Sequence, residues 1–260
     1  MNEAGETTES TMRRGVAVVT GGGAGIGAEV ARALAADGWA VRICGRTTEP
    51  LAAVAAEDPD RISWARCDVT DEAQVDEFFA DVVADLGRVD VAVVNAGAPG
   101  PTAPLGDIDA DGFRDTVAVN LTGAFLTARA AFRTMADQDP AGGRILFNAS
   151  VAAQVPRPHS APYAASKAGV AGLAAVTSLD GRAHGITVTR IDVGNAATEL
   201  LAGFGASAGA LQADGSRRVE PTFPAAEVAR AFVYAASLPA GAVVDQLTVT
   251  AAGMPYVGRG

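Results

Sequence analysis

The chain predicts an α/β fold, a doubly wound, seven-stranded parallel sheet with helices on both faces. Three observations carry that expectation. Short valine-rich apolar runs alternate with alanine-rich stretches of helical period from Gly15 onward. A glycine cluster running from Thr20 to Gly27 joins the first apolar run to the first helical stretch. No linker rich in Pro or Ser and no repeat shorter than a strand–helix–strand unit divides the chain, so residues 13–260 read as one domain of ordinary size for an open α/β sheet.

Each element has its own local reason. GVAVVT (15–20) is a β-branched run too short for a helix, and AGIGAEVARALAADG (24–38) has helical period and ends on a glycine. WAVRICG (39–45) is the second strand; a helix over 47–57, a strand over 62–67, a helix over 71–86 and a strand over 89–97 repeat the period. A long helical stretch from about 109 to 135, a strand over 144–150, a helix over 163–183 and a strand over 186–193 continue it. Residues 194–222 are rich in Gly, Ala and Ser and too long for a simple connection, which predicts a lid. A helix over 225–237 and a strand over 245–251 close the pattern, each strand being an apolar run suited to burial on both faces.

Composition narrows the function. A formal net charge of −10 opposes nucleic acid and anionic lipid as partners, because no basic stripe is available to displace counterions. Cys44 and Cys67 have no further Cys or His at ligand spacing, so they read as buried, reduced thiols and no metal is expected. Residues 1–12 are polar and acidic and predict a disordered tail. With no apolar leader and no run approaching ~18 apolar residues, cytoplasm is the expected location.

Two groups of residues carry chemistry. Gly21, Gly25 and Gly27 fall between a strand and a helix, where they permit a tight turn and close approach of backbone N–H groups to a pyrophosphate. Tyr163 and Lys167 stand four apart on a predicted helix and share a face, so an ammonium can lie beside a phenol. A phenol titrates near 10, and moving it toward 7 takes roughly 4 kcal/mol of preferential phenolate stabilisation. The second strand ends Cys44-Gly45-Arg46, a cation where a dinucleotide lacking the 2′-phosphate calls for an acid.

Thr20, Gly21, Gly25, Ile26 and Gly27 fit T-G-x3-G-[IL]-G, and Ser150, Tyr163 and Lys167 stand in S-x12-Y-x3-K. On these motifs the chain resembles the short-chain dehydrogenase/reductase family over residues 15–252, which implies the Rossmann-type version of the predicted sheet. The resemblance implies that Tyr163 is general acid in reduction and general base in oxidation. It further implies that Lys167 lowers the pKa of Tyr163 and holds the nicotinamide ribose, and that Ser150 hydrogen-bonds the substrate oxygen. Asn120 would bend its helix and hold a water linking Lys167 to a proton relay. Arg46 matches an NADP-selecting arginine, Asp68 with Val69 an adenine contact, and Asn95-Ala96-Gly97 the segment lining the cofactor. Gly194 and Thr198 match the segment that reaches the nicotinamide carboxamide.

The implied reaction is hydride transfer between NADP(H), with NAD(H) as the alternative, and a ketone or secondary alcohol. The alternative function is a catalytically silent dinucleotide sensor of the same fold. Similar proteins are tetramers or dimers, which implies assembly through the helices around 109–135 and 163–183 and the last strand. Ala24 stands where some NADP-using relatives have a second basic residue, Val94 replaces an asparagine and is expected to loosen strand-to-strand bonding, and Val193 replaces a proline and is expected to give a more flexible wall. Gly181 inside a helix costs about 1 kcal/mol relative to alanine. The expected substrate wall, formed by Ala98, Pro99, Val151, Val155, Pro156, His159 and the 199–222 segment with Phe204 and Phe223 nearby, is mostly small and apolar, fitting an uncharged or weakly polar substrate.

Overall fold

A computed structural model describes residues 14–198 and 209–256. The expected N-terminal tail, Phe204 and the middle of the expected lid lie outside the described residues. The central sheet has seven strands, all parallel, in the order β11-β6-β5-β4-β1-β2-β3. These are β1 (Val16–Thr20), β2 (Ala40–Gly45), β3 (Ile62–Arg66), β4 (Val91–Val94), β5 (Gly143–Ser150), β6 (Ile186–Val193) and β11 (Gln246–Val249). Among the described residues between β6 and β11 are four two-residue strands, β7 (Ala196–Ala197), β8 (Ala210–Leu211), β9 (Arg217–Arg218) and β10 (Phe223–Pro224). β7 pairs with β10 and β8 with β9, so the described part of the expected lid has strand structure that its composition did not announce.

The α-helices of the described residues are α1 (Gly25–Ala36), α2 (Thr48–Glu57), α3 (Glu72–Leu86), α4 (Ala110–Val117), α5 (Gly123–Asp137), α6 (Ala161–Gly181) and α7 (Ala225–Ala236). One core joins α3, α5 and α6 to the sheet through Phe78, Phe79, Ala131, Met135, Phe147 and Val170. The other joins α1, α2 and α7 to the opposite face through Val30, Leu34, Leu51, Ile43, Val228 and Phe232. Burying a Leu or Phe side chain is worth about 1.5–3 kcal/mol, so the two layers rather than helix propensity hold this architecture. β1 and β4 are buried at every position, as their unbroken apolar runs predict. β3 and β11 alternate instead, because edge strands are covered on one face only.

The order of β1 and β4 creates the functional geometry. Connections from β1 run outward one way, through β2 to β3, and those from β4 run the other way, so a crevice opens at the carboxyl ends between them. The stretch expected as one helix from 109 to 135 is interrupted by a π-helical turn at Ala118–Thr122. Gly181 closes α6 for a packing reason: a Cβ there would lie 2.7 Å from the Ile186 carbonyl oxygen. Gly181→Ala is therefore expected to destabilise the fold by about 1–3 kcal/mol, as overpacking does, where helix propensity alone predicts a gain; urea unfolding of the two proteins decides the sign.

Candidate active site

Thr20 ends β1 with a buried hydroxyl that organises the turn beyond it. Its Oγ1 accepts from the backbone N–H groups of Asn95 (3.1 Å) and Ala96 (3.2 Å) and donates to the Val93 carbonyl (3.3 Å). Asn95 Nδ2 returns to the carbonyls of Thr20 (2.8 Å) and Gly21 (3.3 Å). The turn itself needs glycine: Gly21 and Gly25 have φ of +67° and +52°, and a Cβ on Gly27 would meet the Gly21 carbonyl oxygen at 2.2 Å. α1 then starts with Ala24 at its N-cap, which supplies no side-chain bond, so the first-turn N–H groups face the crevice uncapped. Such a helix start takes an anion, and these residues fit a dinucleotide pyrophosphate.

A cleft of about 890 Å³ runs over this turn, at the upper end of the range for small-molecule sites. Gly21, Gly25, Ile26 and Gly27 line it, as do Arg46, Asp68 and Val69 at one end and Asn95, Ala96 and Gly97 along its floor. Arg46 is exposed and makes no hydrogen bond or ion pair among the described residues. Asp68 is held by Thr70, whose N–H and Oγ1 both donate to its Oδ1 (3.0 and 2.8 Å). Gly194 and Thr198 complete the far rim, with Thr198 facing Gly25 across the cleft. Thr20 sits behind the wall rather than in it. No grouping of His, Cys, Asp and Glu among the described residues could hold a metal ion.

The structure brings Ser150, Tyr163 and Lys167 together in the same cleft. Ser150 ends β5; its Oγ accepts from Ala152 N–H (3.1 Å), lies 3.5 Å from the Val193 carbonyl and hydrogen-bonds the Tyr163 side chain. Tyr163 and Lys167 rise from the first turns of α6, with the ammonium 5.7 Å from the phenol ring centroid. Burial raises the Tyr163 pKa above that of an ordinary phenol, against the hydrogen bond from Ser150 and the charge of Arg157. The expected depression by Lys167 is thus not a property of the protein alone. Burial also lowers the Lys167 pKa to about 8, opposed by the charge of Asp192.

Lys167 Nζ donates to the Asn148 carbonyl (2.8 Å), and Asn148 Nδ2 donates to Asn95 Oδ1 (2.7 Å). A polar chain therefore runs from the lysine through two asparagines to Thr20. Asn95 and Asn148 tie β1, β4 and β5 together just beyond Val94. Asn148 escaped the sequence reading, although an amide in the apolar run RILFNAS was a visible signal. Asn120 is buried in the π-helical turn, a feature frequent at functional sites. It exchanges bonds with the Ala98 N–H (2.7 Å) and carbonyl (2.9 Å) and donates to Ser166 Oγ (3.2 Å), so its side chain fixes the cleft floor from behind.

Val193 ends β6 in register with Ser150 and Val249 and is buried. One residue earlier, Asp192 is fully buried and accepts from Gln154 (3.0 Å), Arg190 (3.0 Å) and Gln246 (2.8 Å). The substrate side contains Ala98, Pro99, Val151, Val155 and His159, as expected, but not Pro156 or Phe223. His159 holds φ of +64°, an uncommon conformation for a residue with a side chain. The wall is also less apolar than the sequence reading has it, since Arg157, Asn195 and Glu220 line the cleft and bond one another. No local signal marks this trio, which the topology assembles from three segments.

A family description, short chain dehydrogenase, matches residues 15–208. The cis-4-hydroxycyclohexanecarboxylate dehydrogenase of Sinomonas cyclohexanicum is 36% identical over 247 residues, which cover 93% of this chain and 97% of that one. Among solved structures, an actinorhodin polyketide ketoreductase with NADPH superposes with a TM-score of 0.82 at 29% identity, covering 93% of this chain and 97% of that one. The 3-ketoacyl-(acyl-carrier-protein) reductase from Brucella melitensis with NADH gives 0.81 at 25% identity, covering 92% and 97%. The family match covers most of the chain, and the protein belongs to the short-chain dehydrogenases.

Proposed function

We propose that the protein is an oxidoreductase that interconverts a secondary alcohol and a ketone with NADP(H). The observation that carries the reading is the convergence of Ser150, Tyr163 and Lys167 in one cleft with the glycine turn. A nicotinamide dinucleotide bound along that cleft supplies a hydride donor or acceptor. Gly21, Gly25, Ile26 and Gly27 would hold its pyrophosphate, Asp68 and Val69 its adenine, and Asn95, Ala96, Gly97, Gly194 and Thr198 the path to its nicotinamide.

In reduction the Tyr163 hydroxyl gives its proton to the substrate oxygen, and in oxidation the phenolate takes it back. Ser150 donates a hydrogen bond to the same oxygen and so orients it. The Lys167 ammonium stabilises the phenolate and holds the nicotinamide ribose. Asn120 keeps the cleft floor in place through Ala98. The Sinomonas relative is named for a secondary alcohol on a carbocycle, which supports this substrate type. Oxidation of NADPH and NADH in the presence of varied ketones tests the reading; no turnover with any of them would refute it.

The cofactor preference rests on Arg46, because solved relatives carry NADPH in one case and NADH in another. A guanidinium without another partner among the described residues suits a 2′-phosphate. Arg46→Ala is expected to lower kcat/KM with NADPH by about 10- to 100-fold, the worth of a charge-assisted hydrogen bond, and to change that with NADH little. Equal losses with both nucleotides would remove the arginine from this role. A cytoplasmic location and a homotetramer or homodimer belong to the same proposal. Among the described residues, no helix is long and apolar enough to cross a membrane.

A further inference from the structure

We propose that Arg157 is the anion-recognising residue of the substrate pocket and that the substrate carries a carboxylate as well as its reacting alcohol or ketone. The inference rests on the hydride-transfer reading above and names the substrate class for it. Arg157 stands on the loop between β5 and α6 and lines the same cleft as Ser150 and Tyr163. It is close enough for its charge to act on the Tyr163 phenol.

The guanidinium is held in advance. Ser160 Oγ donates to the Arg157 carbonyl (2.7 Å), which fixes the turn that carries it. Arg157 Nη2 donates to Asn195 Oδ1 (2.6 Å) and to Glu220 Oε2. The Glu220 side chain is only 5% exposed and also accepts from Asn195 Nδ2 (2.9 Å) and Gln212 Nε2 (3.1 Å). Burial pushes its carboxyl up, but these bonds and the arginine charge together hold it below the ordinary glutamate value, so it stays ionised. Glu220 and Asn195 thus occupy one nitrogen and aim the group.

One terminal nitrogen remains for a ligand. Nη1 makes no hydrogen bond among the described residues and the side chain is 23% exposed, whereas Nε is buried without a partner. The substrate wall carries Arg157 and Arg217 against Glu220, one net positive charge before Lys167 is counted, in a chain whose total is −10. A carboxylate meets the Nη1 N–H groups with a charge-assisted bond that a neutral substrate lacks. The apolar residues Val151 and Val155 of the same wall then accommodate the carbon frame.

The test compares pyruvate, acetoacetate and levulinate, each beside its methyl ester, with NADPH or NADH. For the best of the three, the wild type is expected to favour the acid by about 10- to 100-fold in kcat/KM. Arg157→Gln should bring that ratio near one and Arg157→Lys should keep part of it. If the arginine only clips the loop around Glu220, both variants lower acid and ester alike; an unchanged ratio, or a wild-type ratio near one, overturns the proposal. Calorimetry of valerate against valeramide on the cofactor-loaded wild type reads the same selectivity without turnover and without any variant, and equal affinities overturn it. Turnover of neutral ketones with no preference for acids sinks the Arg157 assignment and leaves the redox reading standing. Selective binding of valerate without turnover of any ketone does the reverse.

Discussion

Tyr163→Phe is expected to lower kcat/KM for ketone reduction by about 10²- to 10⁴-fold, the range that a positioned proton donor contributes. The substitution removes one oxygen and leaves the ring on α6, so dinucleotide affinity, measured by fluorescence titration, should stay within a factor of a few. The loss belongs to kcat rather than KM, because the proton is needed at the transition state and substrate binding is not. Burial raises the tyrosine pKa in the protein alone, so the phenol is fully protonated at neutral pH and ready as an acid. Full turnover by the phenylalanine variant would assign the proton to another group.

Lys167→Met is expected to abolish measurable turnover and yet to stabilise the fold. Lys167 as a residue is 5% exposed, and its pKa falls from 10.5 to about 8 on burial. The shift corresponds to about 3 kcal/mol of destabilisation at pH 7, and the lost bond to the Asn148 carbonyl takes back roughly 1 kcal/mol, leaving a net gain of about 2 kcal/mol. The sign follows from proton binding: the folded-state pKa lies below the unfolded one, so the cost is complete below pH 8 and is relieved as pH rises toward 10.5. Denaturation at pH 7 should therefore favour the variant, and the difference should shrink in alkali. A variant that is less stable at every pH would show that Lys167 is an ordinary structural contact.

How much of this was legible in the sequence depends on distance along the chain. The turn from Thr20 to Gly27 is contiguous and Tyr163 and Lys167 share one helix face, so pattern and spacing alone placed them. The buried strands β1 and β4 were equally plain, since an unbroken valine run has few other uses. β3 and β11 read as buried on both faces because an apolar run does not record that it lies at a sheet edge. Arg157, Asn195 and Glu220 were illegible for a stronger reason: they lie 38, 25 and 63 residues apart, and only the return of the chain after β6 brings them together. The direction of the Tyr163 pKa was missed because a charge pair is visible in sequence and the desolvation that opposes it is not.

The hydrogen bonds from Lys167 through Asn148 and Asn95 to Thr20 join the two ends of the cleft. The segment that would grip a pyrophosphate is held by the side chains of Thr20 and Asn95, and the ammonium beside the phenol rests on the main-chain carbonyl of Asn148, whose side chain bonds Asn95. Cofactor grip and proton chemistry in this protein thus rest on adjacent positions of three neighbouring strands, β1, β4 and β5.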